Sequence, residues 1–163
     1  MFEVKILGIH VVLYQPENPA NTGNIARTCA ATGSTLHLIR PLGFSTDDKM
    51  MKRAGLDYWE HVNLVYHDSL DDFYQSNEGG EFFYLTKHGS TPHTTFDYSQ
   101  AEKDYFFIFG KETTGLPQEL IEKNQDRALR IPMIESARSL NLSNAAAVLV
   151  YEAHRQQGYP ALN

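Results

Sequence analysis

The sequence is poor in cysteine, with Cys29 alone among 163 residues. One thiol cannot build an internal disulfide framework and leaves no cysteine pair for a zinc site. This scarcity excludes the small disulfide-stapled secreted class and is typical of proteins that work in a reducing cytoplasm. Cys29 falls on the apolar face of a predicted helix, which indicates a core position rather than a reactive nucleophile.

Long apolar runs and an excess of positive charge are also missing. No run of about 18 apolar residues occurs, so no membrane-spanning segment is predicted. Residues 1–10 carry charges and lack the long apolar stretch of a signal peptide. The formal net charge of −6 argues against a protein that coats nucleic acid non-specifically. A local basic patch on an acidic body could still bind RNA, and we expect a cytoplasmic protein.

Several common catalytic motifs are absent from the sequence. The seven histidines show no HExxH spacing, so no metal site is expected. No G-x-S-x-G nucleophile elbow occurs. Gly110-Lys111 is followed by Glu112 where a Walker loop needs Ser or Thr, and the glycine spacing also differs from the dinucleotide pattern G-x-G-x-x-G. These absences disfavour zinc hydrolases, serine hydrolases and the standard nucleotide-binding loops.

Apolar segments alternate with helical patterns along the whole chain, which predicts one domain over residues 1–163. A content of 42% apolar residues is enough to fill a core. The alternation predicts an α/β fold, with a mostly parallel sheet and helices on both of its faces. The predicted strands are Ile9–Tyr14, Thr35–Ile39, Val62–Tyr66, Phe82–Thr86, Tyr105–Phe109 and Ala128–Ile131. The predicted helices are Asn21–Thr32, Asp47–Ala54, Leu70–Ser76, Pro117–Lys123 and Leu142–Gln157.

The loop after the first strand, residues 16–27, forms a rigid turn that leads into a helix. Ligands of parallel sheets bind beyond the carboxyl ends of the strands, and a helix start offers unpaired N–H groups to an anion. Arg27 shares the polar face of this helix with Asn24. By periodicity alone, a solvated surface arginine is the more common interpretation; the functional one is a guanidinium that holds a substrate phosphate.

Two later strand ends carry further candidate residues. Gly110 directly follows a buried aromatic strand, where glycine fits either an ordinary turn or the close approach of a ligand to the backbone. The loop from Ile131 to Asn144 leads into the last helix and carries six candidate ligand-binding side chains: Ser136, Arg138, Ser139, Asn141, Ser143 and Asn144. Helix capping by Asn141 or Ser143 accounts for one or two of them. The surplus indicates a ligand site without naming the ligand.

Together these loops resemble the three motifs of the SPOUT methyltransferases, the trefoil-knotted superfamily. The matching segments are Asn21-Thr-Gly-Asn-Ile-Ala-Arg27, Phe109-Gly-Lys-Glu-Thr-Thr-Gly-Leu-Pro117, and Ile131-Pro-Met through Ser139-Leu-Asn-Leu-Ser-Asn-Ala145. Three shorter segments are similar, more narrowly, to the small tRNA (cytidine/uridine) wobble 2′-O-methyltransferases: Pro41-Leu-Gly-Phe44, Gly55-Leu-Asp-Tyr58 and Tyr151-Glu-Ala-His-Arg-Gln156.

The resemblance implies a deep C-terminal trefoil knot, an exception to the usual avoidance of threaded chains. It implies an obligate homodimer that binds S-adenosylmethionine in the knot loops and methylates the wobble ribose, position 34, within the tRNA anticodon stem-loop. The implied cofactor contacts are Leu85, Gly110, Ile131 and Ser139, largely through their backbone. Arg27 matches the arginine of the first motif, which faces an active site formed with the partner subunit.

We hypothesise that Arg27 grips the phosphate beside the target ribose and so aligns the 2′-hydroxyl with the methyl group. Glu112 is expected to anchor neighbouring loops by accepting hydrogen bonds. An RNA-binding patch is expected from basic residues near the motifs: Lys49, Lys52, Arg53, Arg40, Arg138 and Arg155.

Three alternatives stay open from the sequence. A ribosomal RNA 2′-O-methyltransferase of the same superfamily would carry the same motifs. A non-catalytic, cofactor-binding RNA module would keep the fold without turnover, although the presence of Arg27 beside a complete third motif argues against it. A flavodoxin-like nucleotide-binding domain would share the strand and helix order without a knot.

Overall fold

The computed structural model describes residues 8–47, 51 and 59–163. Within them, seven strands form one sheet in the order β3-β2-β1-β6-β4-β7-β5, and every adjacent pair is parallel. The predicted α/β class with a parallel sheet is confirmed. The strands are β1 (Ile9–Tyr14), β2 (Thr35–Ile39), β3 (Asn63–His67), β4 (Glu81–Leu85), β5 (Thr91–Pro92), β6 (Tyr105–Phe109) and β7 (Ala128–Arg130). The described helices are α1 (Pro19–Thr32), α2 (Leu70–Ser76), α3 (Gln118–Lys123) and α4 (Leu142–Gln156).

The sheet separates two apolar cores because alternate strand residues point to opposite faces. On one face, Val11 and Phe107 pack with Ile25 and Cys29 of α1 and with Leu149 of α4. Burial raises the pKa of the Cys29 thiol to about 12, consistent with the predicted core role. The opposite face holds a second apolar cluster, which is covered by α2 and α3. Its buried residues are Val12, Ile39, Phe73, Tyr84, Phe106 and Ile108.

Helix α1 begins two residues before its predicted start. The Asn18 side chain caps it by accepting from the backbone N–H groups of Ala20 and Asn21, at 2.8 and 3.2 Å. Pro19 takes the first helical position, where its missing N–H costs nothing. Gly33, with φ +70°, ends the helix in the left-handed conformation.

The remaining differences from prediction are small. β3 and β4 are displaced by one residue, β7 ends at Arg130, and the two-residue strand β5 was not predicted. The predicted helix Asp47–Ala54 lies outside the described residues, apart from Asp47 and the buried Met51. No helix in the described part of the chain is long and apolar enough to cross a membrane.

Candidate active site

A cleft of about 1400 Å³ opens at the carboxyl edge of the sheet. It is built by the chain segments that follow β4, β6 and β7, together with the ends of β1 and β6. Its walls include apolar side chains (Leu85, Leu116, Leu140 and Leu142) and charged ones (Lys87, Lys111, Glu112, Glu122 and Arg138). A parallel sheet is expected to place its ligand at this edge.

Gly110 is required by the shape of the loop that follows β6. A Cβ atom at this position would lie 2.1 Å from the carbonyl carbon of Gly115 and from the amide nitrogen of Leu116. Reciprocal backbone hydrogen bonds between Lys111 and Gly115, at 3.2 and 2.9 Å, close this loop. The structure therefore adds a reason for glycine beyond ligand approach: the loop folds back onto its own backbone.

Two glutamates clasp the loops that follow β1 and β6. The carboxylate of Glu112 accepts from the backbone N–H groups of Glu17 and Asn18, at 2.9 and 3.2 Å. In return, the Glu17 carboxylate accepts from the hydroxyl and the backbone N–H of Thr113, at 2.7 and 3.2 Å. These bonds from Thr113, the hydroxyl first, lower the pKa of Glu17. The predicted anchoring role of Glu112 is confirmed.

Asn141 joins the starts of the two longest helices. Its side-chain oxygen caps α4 by accepting from the backbone N–H of Ser143 at 2.9 Å. Its side-chain nitrogen donates to the side-chain oxygen of Asn21 in the first turn of α1, at 3.1 Å. Asn141 and Asn21 both line the cleft, so this contact joins the segments that follow β1 and β7 at the wall of the cleft.

Three of the four predicted cofactor contacts line this cleft: Leu85, Gly110 and Ser139. Ile131 lies outside the lining, partly buried against the larger core. Arg27 is exposed on the same face of α1 as Asn24, as predicted, and it is also outside the lining. A rise of about 1.5 Å per residue places Arg27 roughly 9 Å along the helix from Asn21. A single chain therefore does not bring Arg27 into the cleft.

The predicted basic patch is only partly supported. Arg40 pairs with Asp68 at 3.0 Å and Arg155 with Glu152 at 2.9 Å. Lys49, Lys52 and Arg53 lie outside the described residues. Arg138 does lie at the cleft.

The loop after the fourth predicted strand was expected to lie near a ligand, but its residues Lys87, His88 and Ser90, which line the cleft, were not assigned to the site. The available signal was a glycine and polar residues directly after an aromatic strand. Gly89 is buried in this loop, where a Cβ would lie 2.9 Å from the backbone carbon of Leu129.

The family assignment follows from the chain as a whole. Residues 8–151, a span that contains every loop of the cleft, match the SpoU rRNA Methylase family. The chain is a SpoU-family protein. This span includes all four predicted cofactor contacts as well as Arg27.

Individual relatives of this SpoU-family chain cover nearly its whole length. A Bacillus subtilis protein with the provisional name tRNA (cytidine(34)-2′-O)-methyltransferase is 69% identical over 156 residues, 96% of this chain and 98% of its own length. A solved structure, described as giving insight into the 2-OH methylation of C/U34 on tRNA, is 43% identical with a TM-score of 0.85, covering 94% of this chain and 99% of its own.

A more distant solved structure contains the cofactor AdoMet. The SpoU methyltransferase AviRb from Streptomyces viridochromogenes, in complex with the cofactor AdoMet, is 25% identical with a TM-score of 0.78. It covers 99% of this chain, whereas the match spans 61% of the AviRb chain. The shared fold thus extends to a family member solved with its cofactor.

Proposed function

We propose that this protein transfers a methyl group from S-adenosylmethionine to the ribose 2′-hydroxyl of the wobble nucleotide, position 34, of tRNA, on a cytidine or a modified uridine. The observation that carries the proposal is the convergence of the three motif loops around one cleft. The names and descriptions of the near full-length relatives support the wobble position of tRNA as the target.

The cleft suits the nucleoside and the amino-acid parts of S-adenosylmethionine. Leu85, Leu116 and Leu140 offer apolar surface for an adenine ring, while Ser139 offers a polar side chain. We infer that Leu85, Gly110, Ile131 and Ser139 hold the cofactor, largely through their backbone. When bound, the cofactor supplies a methyl group that its sulfonium already activates for transfer.

The ribose hydroxyl is a poor nucleophile and must lose its proton during methyl transfer. Glu112 is unsuited to the role of base because both of its carboxylate oxygens accept backbone hydrogen bonds. We infer that Arg27 holds the neighbouring phosphate, aligns the hydroxyl and stabilises the charge that develops on its oxygen. The substrate phosphate or a water molecule takes the proton.

We infer that the protein acts as a homodimer. The exposed position of Arg27, outside the cleft of its own chain, supports an arrangement in which each subunit supplies Arg27 to its partner's cleft. Beside it, α4 exposes the apolar side chains Val148 and Tyr151, at 38% and 46%. Membership of the family also supports a C-terminal trefoil knot within a single methyltransferase domain, and a tRNA substrate supports a cytoplasmic location.

Three positively charged side chains line the cleft and support the binding of RNA there: Lys87, Lys111 and Arg138. None of them forms a salt bridge within the described residues, in contrast to Arg40 and Arg155. Contacts to phosphates predict a tRNA affinity that falls steeply with salt concentration.

The deciding experiment incubates the protein with labelled S-adenosylmethionine and bulk tRNA, followed by mapping of the labelled nucleotide. We expect the label on the ribose of nucleotide 34. The matched control is an anticodon stem-loop with 2′-deoxycytidine at position 34, which should accept no label. A parallel incubation contains ribosomal RNA, and label confined to that RNA would favour the ribosomal alternative. Cofactor binding without label on any RNA would favour the non-catalytic one.

A further inference from the structure

Three histidines form a hydrogen-bonded row across β1, β2 and β3, on the sheet face that α2 covers. His10 Nδ1 lies 2.9 Å from His37 Nε2, and His37 Nδ1 lies 2.9 Å from His67 Nε2. At one end, His10 Nε2 lies 2.9 Å from the Asp104 carboxylate. The strand register places His37 two residues beyond His10, and His67 two beyond His37. The row therefore runs diagonally, from the amino edge of the sheet to its carboxyl edge.

Aromatic rings pack around the row and bury its second and third histidines. Phe106 stacks on His10, with ring centres 4.1 Å apart, and Phe73 of α2 contacts His37 and His67 edge-on. His37 and His67 are 3% and 6% exposed. Burial, followed by the charges of the flanking histidines, lowers the pKa of His37 to about 3.

Few charged groups face the row from the surrounding described elements. Asp104 precedes β6 and also accepts the backbone N–H of Gly8 at 3.0 Å. Asp72 of α2 acts on His67, where its charge opposes the burial that lowers the pKa of that ring. An ion pair lies next to each end of the row along the chain. Lys103, which precedes Asp104, pairs with Glu81, and Asp68, which follows His67, pairs with Arg40.

Counting hydrogens along the row gives one arrangement with three neutral rings; an added proton can rest on any of the three rings without loss of a hydrogen bond, and the charge of Asp104 favours His10. A neutral imidazole has one donor and one acceptor nitrogen, and a carboxylate only accepts. When all three rings are neutral, His10 must carry its hydrogen on Nε2 to donate to Asp104, so its Nδ1 is an acceptor. His37 must then donate from Nε2 to His10, and His67 from Nε2 to His37. If His10 carries a second hydrogen, on Nδ1, then His37 and His67 must both carry theirs on Nδ1. Every hydrogen bond of the row survives in either arrangement.

We propose that Asp104, His10, His37 and His67 form a proton-ordered relay that takes up one proton and reverses its hydrogen-bond direction as a unit. A proton that binds His67 Nδ1 passes the Nε2 hydrogen of His67 to His37 Nδ1, and the Nε2 hydrogen of His37 to His10 Nδ1. The added charge then resides on His10 beside Asp104. A second proton would set two N–H groups face to face, so the relay holds one at most.

Reversal couples the two edges of the sheet. It converts His67 Nδ1 from an acceptor into a donor at the carboxyl end of β3, two strands from the charged His10, a span of roughly 10 Å. This edge is the one at which the cleft opens, although β3 is the outermost strand on the opposite side. The relay thus converts a proton taken up at the carboxyl edge into a positive charge on His10 at the amino edge.

Nitrogen-15 NMR of the histidine-labelled full chain tests this relay, because long-range proton–nitrogen correlations distinguish the two tautomers. Between pH 8 and pH 5, we expect His37 and His67 to change from Nε2–H to Nδ1–H with the same midpoint at which His10 becomes charged. A His37 tautomer that stays constant while His10 charges would overturn the proposal, and this measurement needs no variant.

Substitution of the terminal carboxylate gives a second test. Asp104→Asn should lower the shared midpoint by about one pH unit or more, because the charge that stabilises the added proton is gone. His61→Asn, which changes an exposed histidine outside the row, should leave the midpoint unchanged. A wild-type midpoint in a folded Asp104→Asn protein would remove Asp104 from the relay.

Discussion

At the scale of single residues, Arg27 is the side chain on which the proposed chemistry depends. Its guanidinium is the group proposed to align the substrate phosphate, and Arg27 lies outside the lining of the cofactor cleft. We expect Arg27→Ala to lower methyl transfer to tRNA by roughly 10²-fold, by analogy with the loss of one preorganised hydrogen-bond donor. Binding of S-adenosylmethionine, measured by calorimetry, should stay at the wild-type level.

The matched control for Arg27 is Lys103→Ala. Lys103 is also a partly exposed cation, but it lies before β6, at the edge of the sheet opposite to the cleft, and pairs with Glu81. This variant should retain wild-type turnover. Full turnover of the Arg27→Ala protein on its proper tRNA would show that the arginine does not act in catalysis.

At the scale of elements, the loop between β6 and α3 leaves no room for a side chain at Gly110. We expect Gly110→Ala to destabilise the fold by about 1–3 kcal/mol or more, since its Cβ would overlap the backbone of Gly115. The same shift of the loop should weaken cofactor binding, which calorimetric titration measures. Gly8→Ala is the control because no described residue lies within 4 Å of its added Cβ. Equal unfolding temperatures for the two variants would contradict the crowding described for this loop.

Burial of a neutral histidine within β2 makes the free energy of unfolding depend on pH. The pKa of His37 is about 3 in the folded protein, below the ordinary value of 6.5 that the unfolded chain has, so below pH 6.5 the unfolded chain binds more protons. Stability is therefore complete above pH 6.5 and falls as the pH decreases toward 3, by about 1.4 kcal/mol per pH unit for this one group. Urea unfolding between pH 7.5 and pH 5 measures the slope.

Removal of the titrating group should flatten that pH dependence. We expect His37→Gln to have a shallower slope than wild type by about 1.4 kcal/mol per pH unit, whatever its overall stability. The exposed His61 serves as the comparison, and His61→Asn should keep the wild-type slope. Identical slopes for wild type and His37→Gln would mean that His37 is charged equally easily in both states.

The elements could be predicted from the sequence wherever a strong local pattern existed. The fully buried aromatic strand β6 and the apolar stripe of α4 have their predicted positions, apart from one residue at the end of α4. β5 could not be predicted, because two residues, one of them Pro92, carry no periodicity and pair only through β7. The histidine row could not be predicted either, because each strand contains a single histidine and their alignment depends on a strand register that local sequence does not encode.

The sequence predicted which loops form the candidate site, but not all of the residues that line its cleft. Leu85, Gly110 and Ser139 follow or end strands, so a parallel sheet brings them to one edge. Lys87 and His88 were missed as lining residues because their turn packs against β7, a contact between residues distant in sequence. The cofactor and substrate came from resemblance to a family, since small polar residues indicate a site without naming its ligand.

At the scale of the whole molecule, the proposed homodimer rests on the surface that α1 and α4 expose. We expect wild type to have twice the chain mass of 18.5 kDa by light scattering. Val148→Asp, which places a charge on the exposed apolar side of α4, should give the mass of one chain and lose methyl transfer, because Arg27 no longer reaches a partner's cleft.

The comparison variant for dimerisation is Ala101→Asp. It adds the same charge at an exposed turn before β6 and should remain dimeric. A wild-type protein with the mass of one chain at assay concentration, and with full activity, would exclude the dimer as the active form.

The central place of β6 affects how the chain is assembled during synthesis. β6 lies between β1 and β4, yet both neighbours leave the ribosome before it, and its pairing of Tyr105 with Ile9 spans nearly the whole N-terminal two thirds of the chain. Until residues 105–109 emerge, β1 and β4 each have an unpaired edge, the kind of surface that joins strands of other molecules. The sheet therefore closes late, through contacts of long sequence separation that slow folding. Truncated or stalled chains that end before Tyr105 would be the form most prone to aggregate.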